Sequence, residues 1–197
     1  MQIMKKILLF PFFIMPILAY ILSTYKDRID EDLDRFFSVH YGIKADNKID
    51  ALITQLLTCI EFRNLFYYRC GSIGRKLARM SLFFLPTQKL LFFGVDRARF
   101  MGGVFIQHGY CTVITAESIG KNFWVNQNVT IAYSSKGRPT IGDNVHIASD
   151  ANVVGDIHIG NNVTIGAGTT VVKDVPDNTL VVSQAARYIS KADRHKV

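Results

Sequence analysis

"TIGDNVHIASDANVVGDIHIGNNVTIGAGTTVV", residues 140–172, carries apolar residues at a period belonging to neither a helix nor an ordinary strand. Ile141, Ile147, Val153, Ile159, Ile165 and Val171 recur every six residues. Upstream, Ile119, Val125 and Ile131 keep the same spacing, and a ten-residue gap separates Ile131 from Ile141. Helical faces repeat at about 3.6 residues and strand faces at about two. A six-residue beat held by β-branched side chains at nine positions is therefore an internal repeat.

The positions around the beat say how the chain turns. Val129, Val145, Ala151, Ile157 and Val163 stand two residues ahead of it, and Asn122, Asn128, Asn144, Asp150, Asp156, Asn162 and Gly168 fill turn slots. Asn, Asp and Gly tolerate the left-handed backbone that a tight corner demands. The pattern predicts short parallel strands with a corner every six residues, each β-branched side chain pointing inward onto the coil below. One such coil cannot cover its own apolar interior, so several must stack. The stretch resembles the hexapeptide-repeat, left-handed parallel β-helix, in which three faces make a coil of about eighteen residues. Ile141 then stacks under Ile159, Ile147 under Ile165, and Val153 under Val171. The gap, "AYSSKGRPT", is read as a loop thrown out from one corner, where a rigid solenoid tends to carry function.

Fold alone does not give function, but the local sequences go further. "FIQHGYCTVITAESIG", "QNVTI", "PTIGDNVHI" and "TIGAGTTVVKDVPDNTLV" resemble the serine-acetyltransferase group of hexapeptide acyltransferases, and more closely its relatives attached to surface-polysaccharide synthesis. The resemblance covers about residues 100–182, together with "EFRNLFYYRCG" at 61–71. It implies acetyl transfer from acetyl-CoA to a hydroxyl. A hydroxyl is a weak nucleophile, so an imidazole base helps it attack, and backbone N–H groups stabilise the oxyanion. The thioester supplies its own leaving group, and no metal is required.

His108 matches the family's catalytic histidine; otherwise it is a surface histidine on a strand. The resemblance also implies an orienting carboxylate, for which Asp96 and Glu117 are the candidates. Asp96 lies closer to the histidine than the family's acid does, and Glu117 can equally be a solvated corner residue. Ser149, Gly166, Ala167 and Gly168 match small positions along the family's CoA groove. Lys173 and Arg187 are cations suited to the nucleotide phosphates. Two departures bear on the acceptor: Gln107 replaces an Asp before the histidine, and "KGRPTIG" places Arg138 where a second histidine is usual. Both lost residues help hold an amino acid acceptor. Their absence favours a saccharide hydroxyl, with serine O-acetylation as the alternative and a non-catalytic β-helix scaffold as the third reading. Lys136 or Arg138 can meet an acidic acceptor or be idle loop charges. His146 and His158, twelve residues apart, fall on different faces and do not suggest a zinc site.

Outside the repeat the chain changes character. Its 197 residues allow one sizeable domain and an appendage. The net charge of +7 is concentrated in residues 1–100, with 15 Lys/Arg against 9 Asp/Glu. Residues 26–99 read as a helical, basic and aromatic region, residues 100–182 as the β-helix, and 183–197 as a tail. Basic and aromatic residues interleaved over Arg63–Arg99 fit either a self-packed helical subdomain or an anionic lipid surface; no nucleic-acid reading motif accompanies the charge. Cys59, Cys70 and Cys111 are odd in number and form no CxxC pair, as suits free thiols in a reducing compartment.

Residues 1–25 form a hydrophobic segment. Lys5 and Lys6 precede nineteen uncharged residues, Ile7 to Tyr25, enough to cross a bilayer as a helix. Pro11 and Pro16 would kink it, and no signal-peptide cleavage site stands out. The positive-inside rule would send the rest of the chain outward, against the need for a cytoplasmic thioester. The segment is therefore expected to enter one leaflet or pack into the fold. The expected protein is a homotrimer, cytoplasmic, at or near the inner membrane face, and does not bind nucleic acid.

Overall fold

The computed structural model describes residues 2–81 and 85–184. Five helices precede a parallel β-solenoid: α1 (Gln2–Ile21), α2 (Lys26–Tyr41), α3 (Lys48–Thr58), α4 (Ile60–Arg69) and α5 (Gly71–Ser81). Local chemistry sets several of their ends. Asn47 caps α3, its side chain accepting from the Ile49 and Asp50 amides at 3.0 and 3.1 Å. Gly42 ends α2 in the left-handed region, its N–H reaching the Ser38 carbonyl at 3.1 Å. Leu33, Phe36, Leu52, Leu56, Phe62 and Leu65 are buried and form the bundle core.

The solenoid has three faces. Face A carries β1 (Leu91–Phe93), β3 (Thr112–Ile114), β6 (Thr130–Ala132), β9 (Asn152–Val154) and β12 (Thr170–Val171). Face B carries β4 (Ser118–Ile119), β7 (Thr140–Ile141) and β10 (His158–Ile159), extended by single bridges Phe100 to Ile119 and Ile159 to Val175. Face C carries β2 (Phe105–Ile106), β5 (Trp124–Val125), β8 (His146–Ile147), β11 (Thr164–Ile165) and β13 (Leu180–Val181). Every pairing is parallel, and the path A, B, C is followed through five coils.

The six-residue beat is the solenoid core. Ile119, Ile141 and Ile159 stack on face B, Val125, Ile147 and Ile165 on face C, and Ile131, Val153 and Val171 on face A, all buried. Each buried Val or Ile contributes about 1.5–3 kcal/mol of transfer free energy. The stacking starts at Leu91, ahead of the first beat residue Ile119 and of residue 100, where the β-helix was expected to begin. Leu91, Phe100 and Ile106 fill the interior there, while Phe105, in register with Trp124, faces the bundle, so the first coil shows no regular Ile/Val beat.

Left-handed residues mark two corners. Between B and C they are Gly103, Asn122, Asn144, Asn162 and Asn178; between C and A they are His108, Cys111, Asn128, Asp150 and Gly168. Asn122, Asn144, Asn162 and Asn178 form a ladder of side-chain hydrogen bonds at 2.9, 3.0 and 2.9 Å. The A-to-B corner differs: Gly155, not Asp156, takes positive φ there.

α1 packs on the bundle through Phe13, Ala19 and Tyr20. Among the described residues no helix is long and apolar enough to cross a membrane. The bundle meets the first coil where Phe36 of α2 packs on Phe105, ring centroids 4.8 Å apart.

Candidate active site

Three of the four passages from face C to face A that link buried beat residues take six residues: Val125 to Ile131, Ile147 to Val153, and Ile165 to Val171. The first, Ile106 to Ile114, takes eight. The two extra residues enlarge the turn between Gln107 and Cys111, and His108 lies in it. Its φ of 54° puts a non-glycine residue in the left-handed region, a conformation uncommon outside Asn, Asp and His and concentrated at functional sites. The turn is held because Gln107 N–H donates to the Val125 carbonyl at 2.8 Å and the Tyr110 carbonyl accepts from Asn128 N–H at 2.9 Å. The His108 ring is exposed, and no hydrogen bond holds it among the described residues.

The same corner continues beneath His108. Tyr110, Gln127 and Ser149 succeed one another, linked by Asn128 N–H to the Tyr110 carbonyl, Asp150 N–H to Gln127 (3.2 Å) and Gly168 N–H to Ser149 (2.9 Å). Ala167, exposed, stands beside Gly168 in the next coil. His108, Ser149, Gly166, Ala167 and Gly168 thus share one corner across four coils. At about 4.8 Å per coil this is a run of roughly 14 Å. A Cβ added to Gly168 would meet nothing within 4 Å, so a ligand can approach the backbone there, and the corner fits an extended, amide-bearing chain. Gln127 was missed in the sequence: its Oε1 is buried on this corner without a hydrogen-bond partner in the described structure.

On its other side His108 opens on a cleft of about 410 Å³ between bundle and solenoid. Gln107 and His108 line it from the coil, His40 and Tyr41 from the end of α2, and Cys59 and Glu61 from the α3–α4 junction. Cys59 donates its S–H to Glu61 Oε2 at 3.4 Å. Burial pushes this thiol up to about 12, so it remains a neutral donor rather than a nucleophile. Glu61 is the carboxylate that shares His108's cleft. The sequence candidates lie elsewhere: Glu117 pairs with Arg99, and Asp96 caps the 3-10 turn Arg97–Arg99 by accepting from Ala98 N–H at 2.8 Å.

Gln107 heads a polar chain down face C. Its Oε1 accepts from Asn126 at 3.3 Å, and Asn126 Oδ1 lies 2.9 Å from His146 Nε2. Arg138 stands at the A-to-B corner, the far end of face A from His108, where it donates to the Gly94 carbonyl at 3.2 Å and lies over Tyr133. Lys136 shares this loop, its N–H accepted by Ser134 Oγ at 3.2 Å. Lys173 is also at the A-to-B corner, exposed, away from Ser149 and Ala167. Within one chain, then, Gln107 and Arg138 do not meet. Arg187 lies outside the described residues. His146 is on face C and His158 on face B, hydrogen-bonded to Thr140 at 2.9 Å. No group of three metal-ligating side chains is found among the described residues.

These features define a hexapeptide-repeat protein, and residues 138–173 match the family described as bacterial transferase hexapeptide (six repeats). The relatives narrow the class. The serine acetyltransferase of Synechococcus elongatus is 40% identical over 161 residues, 75% of this chain and 63% of that protein. The Escherichia coli K12 protein WcaB, whose name assigns it to colanic acid biosynthesis as an acetyltransferase, is 41% identical over 103 residues, 49% of this chain and 64% of that one. The chain thus spans just under two thirds of these curated relatives. Among solved structures, the serine acetyltransferase of Neisseria gonorrhoeae in complex with serine superposes with a TM-score of 0.56 at 26% identity, over 83% of this chain and 68% of that one. The chain is built on the hexapeptide repeat over residues 138–173, and serine acetyltransferases are among the proteins it is similar to.

Proposed function

We propose that the protein is an acetyl-CoA-dependent O-acetyltransferase with His108 as its general base. The observation that carries this is the single corner shared by His108 and the small residues Ser149, Gly166, Ala167 and Gly168. In this reading the His108 imidazole takes the acceptor's proton as its oxygen attacks the thioester carbonyl carbon. The tetrahedral intermediate collapses with cleavage of the carbon–sulfur bond, the acetyl group stays on the acceptor oxygen, and the departing CoA thiolate takes up a proton. Ser149, Gly166, Ala167 and Gly168 flank the pantetheine arm, while Arg187, and Lys173 reaching in from the opposite corner of an adjoining copy, serve the nucleotide phosphates. No step uses a metal.

Three copies around an axis are proposed to form the working unit, each seam placing one chain's C-to-A corner beside the loop corner of its neighbour. That arrangement gives Gln107 and Arg138 a route to one acceptor, which a single chain lacks. Asp96 and Glu117 belong to His108's surroundings only through such a seam; within one chain Glu61 occupies that place. Acetyl-CoA chemistry places the protein on the cytoplasmic side.

The relatives weigh toward serine as acceptor, ahead of the saccharide that the sequence departures favour. The saccharide reading rests on one particular: Gln107 is neutral and tied to Asn126, leaving no carboxylate beside His108 on its strand to hold an ammonium group. Thiol release from acetyl-CoA, followed with L-serine and with a panel of sugars and sugar nucleotides, separates the readings. Turnover with serine supports the first, turnover with a sugar alone the second. Absence of both turnover and CoA binding would leave a scaffold and overturn the proposal.

A further inference from the structure

From residue 12 onward the exposed side of α1 is apolar. Ile21, Ile14, Leu18, Leu22 and Met15 are 45–71% exposed. At about 100° per residue they fall within one continuous arc of roughly 120°. Phe13 and Tyr20 occupy the opposite side and, with Ala19 at the flank, are buried in the bundle. A helix apolar on every side belongs inside something, and contiguous exposed apolar surface marks a partner or a membrane.

The neighbouring helix says which. α5 begins against α1, where Cys70 donates its S–H to the Ala19 carbonyl at 3.9 Å. Its exposed residues include Ile73 and Met80, at 48% and 67% exposure, and the cations Arg75 and Lys76. Among the described residues no carboxylate pairs with either cation. Asp30 of α2, beside α1, is already taken, since it accepts from Tyr20 at 2.5 Å and from Lys26 at 2.8 Å. An apolar stripe flanked by unpaired Lys and Arg is the make-up of a segment lying in the plane of an anionic bilayer surface. A twofold contact between copies through this face would set two patches of the same net positive charge against each other.

We infer that the exposed face of α1, with Arg75 and Lys76 of α5, docks the protein on an anionic lipid surface without crossing it. The full chain is sedimented with vesicles of phosphatidylcholine alone and with phosphatidylglycerol added, at low and high salt. Wild type is expected to bind the anionic vesicles at least tenfold better than the neutral ones, less so at high salt. The double variant Leu18→Glu/Leu22→Glu removes binding to both. Arg75→Gln/Lys76→Gln weakens binding to anionic vesicles roughly 30-fold, from two cations lost. These positions are exposed, so circular dichroism and the thermal midpoint should stay at wild-type values. Failure of wild type to bind anionic vesicles, or equal binding by the Leu18/Leu22 variant, overturns the inference. A Leu18/Leu22 variant that changes the mass measured by light scattering while wild type ignores lipid makes the face a contact between copies, and also overturns it. Vesicle binding needs no acetyl transfer, so this outcome is independent of the proposed activity.

Discussion

Arg69 Nε lies 3.0 Å from Asp32 Oδ2, and both side chains are sealed from solvent, at 0% and 1% exposure. The pair is the bolt between bundle and solenoid. Arg69 of α4 donates to the carbonyls of Phe100 and Met101, the latter at 2.6 Å, while Asp32 of α2 accepts from the Val104 amide at 2.8 Å. The helices thereby hold the very segment that leads into His108's coil.

Arg69→Ala is expected to cost about 3–5 kcal/mol, because it leaves the buried Asp32 carboxylate without its cation, holding only the Val104 amide. Asp32→Leu/Arg69→Met removes both charges and should recover part of that loss. Urea unfolding curves of the two variants check both expectations.

Asn144 sits mid-ladder in the left-handed region with φ 56°. Asn144→Ala should cost about 1–2 kcal/mol from backbone conformation, plus the two ladder bonds. Asn144→Gly loses only the bonds and should be the milder change. Thermal denaturation ranks the two.

How much of this was legible follows from range. The inward stacks of Ile119, Ile141 and Ile159 are set by neighbouring coils, so their spacing appears directly in the sequence. Asn122, Asn128, Asn144, Asp150, Asn162 and Gly168 likewise answer a local backbone demand, and all six take positive φ. The first coil was hidden, since Phe100 and Phe105 are shaped by contact with Tyr68 and Phe36 of the bundle. The cleft was hidden for the same reason: only packing of α2 and α4 on β2 brings His40 and Glu61 to His108. Glu117 lies near His108 in sequence, yet its carboxylate turns to Arg99, a choice no spacing reveals. One signal was readable and went unused, the eight-residue passage from Ile106 to Ile114 that lengthens His108's turn.

His146 offers a pH test. Burial first, then the charge of Arg35, lowers its pKa from the ordinary value. The folded state therefore holds the imidazole neutral, while the unfolded chain gains a proton as pH falls through about 6.5. This contribution is fully present above that value and is lost below it, by at most about 1.4 kcal/mol per pH unit. His146→Gln should flatten the stability profile between pH 6.5 and the lowered folded value, seen in urea midpoints measured across that range.

Ala167 is exposed on the corner assigned to pantetheine. Ala167→Trp should raise KM for acetyl-CoA at least tenfold, about 1.4 kcal/mol of lost binding, with the thermal midpoint unchanged. Steady-state kinetics at saturating acceptor reads the difference.

The most direct measurement is acetyl-CoA turnover by His108→Ala beside calorimetric titration of the same variant with CoA. Loss of a general base predicts a fall in kcat of about 10²–10⁴-fold with CoA affinity and unfolding midpoint retained. Turnover at the wild-type rate in a folded, CoA-binding His108→Ala protein would contradict the assignment of His108 as the base.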